Sequence, residues 1–138
     1  MTSQMAEAAG ASLVCKEQLF EQADVLTIHL VLSSRTRGLV GAQELARMKS
    51  TARLINASRG AIVDAQALLS ALEKRQIAGA ALDVFDIEPL PQSHPFRTLE
   101  NVLATPHIGY VSHGLYQRFY EDTVANIRAW LDTKSNGT

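Results

Sequence analysis

Apolar residues recur along the chain in short blocks whose spacing alternates between strand and helix patterns. Residues 3–9 predict a short helix ended by Gly10, and 12–14 a short strand. Lys16 to Gln22 predicts one or two helical turns. Asp24 to Leu32 (DVLTIHLVL) is a β-branched apolar run and predicts a buried strand. Polar residues 33–38 predict a loop, and 42–48 a short helix. Arg53 to Ala57 predicts a second buried strand. Asp64 is placed to cap a helix reaching about Arg75, with Leu68, Leu69 and Leu72 on one face. Ile77 to Val84 predicts a third strand, whose small residues allow a helix to approach closely. A long loop from Phe85 to Asn101 holds three of the four prolines. Val102 to Ala104 predicts a fourth strand. A last helix runs from about Gly114 to Leu131, with an apolar stripe at Tyr116, Tyr120, Val124, Ile127 and Leu131.

Strand and helix in alternation predict an α/β fold, a parallel sheet flanked by helices. Function in such sheets sits at the carboxyl ends of the strands. Those ends carry Arg59 after the second strand, Asp83, Asp86 and Glu88 after the third, and His107 after the fourth. Each has an ordinary reading on its own. An arginine in a turn is usually a solvated charge, and a glutamate before a proline or a histidine in a loop usually carries no chemistry. Together they suit carbonyl reduction. Arginine offers a planar fork to a carboxylate, histidine moves a proton near neutral pH, and a carboxylate fixes the histidine's tautomer. His29, inside an apolar run, reads as a packed, hydrogen-bonded core histidine. His94 and His113 read as surface residues. The histidines show no metal-ligand spacing.

Composition narrows the function classes. The chain has 138 residues, a length that suits one domain, and a net charge of -1 with no basic block, which argues against nucleic-acid binding. No apolar run approaches a membrane span, and no leader pattern opens the chain. A single cysteine, Cys15, reads as a small apolar residue near a helix start. A reducing, cytoplasmic setting is expected.

The runs INASRGAIVD (55–64), GAALDVFDIEPLP (79–91) and NVLATPHIG (101–109) resemble the three signature segments of the D-isomer-specific 2-hydroxyacid dehydrogenases. ADVLTIHLVLSSRTRGLVG (23–41) resembles the strand and loop before the first of them. The resemblance implies part of a Rossmann-type, doubly wound sheet that uses NAD or NADP to interconvert 2-oxo and 2-hydroxy acids. It makes Arg59 the substrate-carboxylate arginine, Glu88 the partner of the histidine and His107 the acid/base. It places the cofactor against Leu30, Val31, Thr36, Ala57, Ser58, Arg59, Asp83, His107 and Gly109. Two departures stand out, Val31 where many relatives have proline and Tyr110 after Gly109. None of the eight glycines forms the G-x-G-x-x-G that holds a pyrophosphate. The expectation is therefore one incomplete NAD-binding domain over 1–138, without a substrate-binding domain and inactive alone. Its open sheet edge predicts a homo-oligomer such as a dimer, formed there or through the NAD-domain interface. Corepressor-like interaction modules share this fold, so a non-catalytic module or a functionless remnant is the alternative expectation.

Overall fold

The computed structural model describes residues 2–135. The described residues form two compact units, 2–107 and 108–135. In the first, helices α1 (Ser3–Ala8), α2 (Lys16–Gln22), α3 (Ala42–Arg47) and α4 (Ala65–Glu73) alternate with strands β1 (Val25–Ile28), β2 (Arg53–Asn56), β3 (Gly79–Leu82) and β4 (Val102–Ala104). Two 3₁₀ turns, Gly60–Ile62 and Pro95–Arg97, lie in what the sequence pattern reads as loops. The second unit is helix α5 (His113–Ser135), whose Tyr116, Tyr120, Val124, Ile127 and Leu131 are all exposed.

The sheet is parallel throughout, in the order β1-β2-β3-β4. It follows from the crossovers: each strand is followed by a helix or loop long enough to return to the same end. Alternation decides what each strand buries. Leu26, Ile28, Leu54, Ala80 and Leu82 point into a core completed by Leu45, Leu68, Leu72, Ile77 and Phe96. Val25 and Thr27 on the opposite side are exposed. The side chain of Asp64 accepts from Ala67 N–H at 2.9 Å and starts α4 as its pattern predicts.

Several expectations are corrected. Residues 12–14 are irregular, with no neighbouring strand to pair with. The run 24–32 is a strand only over Val25–Ile28, because β2, its one partner, offers four residues of ladder. His29 is not in the core. It lies past the end of β1, exposed, with Nε2 3.0 Å from the Thr27 hydroxyl. Cys15 is exposed at the start of α2. His94 is half-buried: its Nδ1 accepts from Phe96 N–H at 3.2 Å, and its ring lies 4.7 Å from that of Phe96.

Candidate active site

Register aligns three strand ends. Asn56 pairs with Leu82, and Leu82 with Ala104. Arg59 and His107 each lie three residues past their strand's last residue, and Asp83 directly follows β3. All three therefore come to the carboxyl edge of adjacent strands, which are spaced about 5 Å apart.

At the end of β2 the chain folds back on itself. Asn56, a 1 % exposed amide in an otherwise apolar core, gives Nδ2–H to Arg59 O at 3.0 Å. Its Oδ1 accepts from Ser58 N–H at 3.1 Å. The Ser58 hydroxyl donates to Leu30 O, which ties this turn to the segment after β1. That segment is tied down in turn by the Thr36 hydroxyl, which donates to Val31 O at 2.8 Å. Gly60 is required by close approach: a Cβ there would lie 2.2 Å from the carbonyl carbon of Phe85. Arg59 itself is exposed, its Nη1 donating to Ser58 O at 2.6 Å.

The ends of β3 and β4 hold the ionisable groups. His107 Nδ1 lies 2.8 Å from Glu88 Oε2. Glu88 Oε1 accepts from Phe85 N–H at 2.8 Å, so both carboxylate oxygens are engaged. These contacts, His107 first and the Phe85 amide second, hold the Glu88 carboxyl below its ordinary pKa. An ionised Glu88 only accepts, so Nδ1 carries the proton. His107 adopts a φ of +58°, a left-handed conformation that a non-glycine residue holds at a cost. Asp83 is 9 % exposed and accepts the Thr105 hydroxyl at 2.6 Å. A cavity of about 450 Å³ is lined by Glu88, Pro89, Leu90, Arg97, Thr105 and His107, among others.

The structure thus brings Glu88 and His107 into direct contact. It puts Arg59 and Asp83 on the same edge and ties Ser58 to Leu30, and Thr36 to Val31. Val31 is 85 % exposed and Leu30 half so, an apolar ledge beside these polar groups. Gly109 lies in the second unit. Sequence reasoning missed Asn56, Thr105 and Arg97. Asn56 had a signal, a lone amide in an apolar strand. The other two had none short of their partners' positions.

The model of the D-isomer specific 2-hydroxyacid dehydrogenase NAD binding domain matches residues 1–109. A glyoxylate reductase of Korarchaeum cryptofilum is 42% identical over 121 residues, 88% of this chain and 36% of the relative. A solved structure from Ralstonia solanacearum, titled as a D-3-phosphoglycerate dehydrogenase oxidoreductase, superposes with a TM-score of 0.87 at 38% identity, over 94% of this chain and 38% of that one. A D-isomer specific 2-hydroxyacid dehydrogenase from Xanthobacter autotrophicus Py2, solved with NADPH and MES, superposes at 0.65 with 41% identity, over 67% and 30%. The chain spans about a third of the length of these proteins.

Proposed function

We propose, for a chain that belongs to the D-isomer specific 2-hydroxyacid dehydrogenase family through its NAD binding domain, that it supplies the nicotinamide side and the acid/base machinery for reducing small 2-oxo acids. The observation that carries this is the 2.8 Å contact of His107 with Glu88 on the edge that also presents Arg59. The residues present fit a nicotinamide: Leu30 and Val31 offer an apolar ledge to its ring, and Asp83 a carboxylate acceptor to its carboxamide. The glycine cradle for the pyrophosphate is not among the eight glycines.

When bound, NADH or NADPH supplies the hydride that reduces the carbonyl carbon. Arg59 takes the substrate carboxylate in its guanidinium fork and draws electron density from the adjacent carbonyl. His107 gives the Nε2 proton to the carbonyl oxygen as the hydroxyl forms, and takes it back in the reverse direction. Glu88 keeps the ring in the competent tautomer. Glyoxylate and hydroxypyruvate are the substrates tried first. None of the eight glycines forms the pyrophosphate cradle, so these residues by themselves hold cofactor weakly and turn over poorly. The reading places the chain in the cytoplasm. It also has the chain self-associate through β1, the sheet edge whose backbone has no ladder partner on one side among the described residues. A concentration-independent monomer in a sizing experiment contradicts that last point.

Calorimetric titration with NADH tests the cofactor side. Saturable binding in the millimolar range, weakened in Asp83→Ala, is expected. Heats indistinguishable from dilution, or equal binding by both proteins, overturn the assignment.

A further inference from the structure

We propose that Arg97 is a positioning residue, whose guanidinium clasps the turn after Glu88 and thereby sets the Glu88 carboxylate against His107. Arg97 Nη2 donates to Leu90 O at 2.6 Å, and Nε donates to Pro91 O at 3.0 Å and to Leu90 O at 3.2 Å. The base from which it reaches is firm. The 3₁₀ turn Pro95–Arg97 is capped by His94, and Phe96 is buried in the core.

Glu88 therefore sits between two anchors. On one side is the Phe85 amide, which holds Oε1. On the other are the Leu90 and Pro91 carbonyls, pinned by Arg97. A carboxylate on an unpinned turn would sample other rotamers and leave Nδ1 of His107 for water. Arginine suits this task because its planar fork serves two carbonyls at once, which a lysine ammonium on a flexible stem does less well. Arg97 and Glu88 border the same cavity as His107. The charged groups that bear on Glu88 are His107, which favours its ionised form, and Asp83, which opposes it. Arg97 acts on it through the two carbonyls. The inference rests on reading Glu88 and His107 as the acid/base pair, yet its test needs neither cofactor nor substrate, so either can fail without the other.

The test follows the Glu88 side-chain carboxyl carbon by NMR through an acid titration. In the unaltered protein its midpoint lies below the ordinary carboxylate value, and His107→Gln defines the loss of the pair. Arg97→Ala and Arg97→Met, the second keeping an apolar stem, are expected to move the midpoint up toward that of His107→Gln, with the remaining amide spectrum unchanged. A midpoint in Arg97→Met equal to that of the unaltered protein overturns the proposal. Should Arg97→Ala fail to fold, Arg97→Met decides alone.

Discussion

The end of β2 and the ends of β3 and β4 present polar groups on one edge, but they are held there by different means. The turn after β2 is fixed by backbone and sterics: a buried amide folded onto two main-chain groups, and Gly60 pressed against Phe85. The ends of β3 and β4 are fixed by hydrogen bonds to ionisable side chains, Glu88 to His107 and Asp83 to Thr105. The first arrangement tolerates no added volume and is indifferent to pH. The second tolerates changes of shape and responds to protons.

The largest effect that sharpens this contrast is Gly60→Ala. The new Cβ meets main-chain atoms of Phe85 and Asp86, which cannot rotate away. Urea unfolding should show a loss of about 3 kcal/mol or more, at the upper end of overpacking costs. Asn56→Ala follows, leaving buried partners unpaired. A loss of about 1–3 kcal/mol is expected. A loss below a few tenths in either variant would show that the β2 turn is not sterically fixed.

How much of this was legible in the sequence depends on how local the signal is. The Asp64 cap and the Leu68 and Leu72 face are set by neighbours within a few residues and appear where their pattern puts them, whereas the strand pattern at 12–14 does not form and that at 24–32 forms only over Val25–Ile28. Arg59, Glu88 and His107 stand in segments whose resemblance to the family carried them. The Glu88–His107 pairing, across 19 residues, also came with that resemblance, and the fold adds its 2.8 Å geometry. His29 lies outside the core because the ladder ends at Ile28, although the apolar run continues past it. Thr105 and Arg97 act on partners that only the folded chain identifies.

The pH response separates the two ends further. The folded-state pKa of Glu88 is lowered, so its contribution to stability is fully present above the ordinary carboxylate value, about 4.3, and is lost as pH falls through the lowered folded value. Urea midpoints collected from pH 6 to pH 3 should show a component that His107→Gln removes and Asn56→Ala leaves in place. Its persistence in His107→Gln would deny His107 the principal part in holding Glu88. The smallest effect on the fold is Arg59→Ala. The side chain is exposed and, among the described residues, bonded to its neighbour's carbonyl, so unfolding should change by less than about 0.5 kcal/mol.

That substitution also gives the most direct test of the central claim, that Arg59 and His107 together receive a 2-oxo acid. Oxamate, a carboxylate beside a carbonyl that does not accept hydride readily, is titrated into the chain in the presence of NADH. The Arg59 Nε–H and the His107 ring resonances are followed by NMR. The account predicts that both shift together, with one saturation curve, and that Arg59→Ala abolishes the His107 response. Unmoved resonances at both residues, or a His107 response that survives Arg59→Ala unchanged, would contradict it.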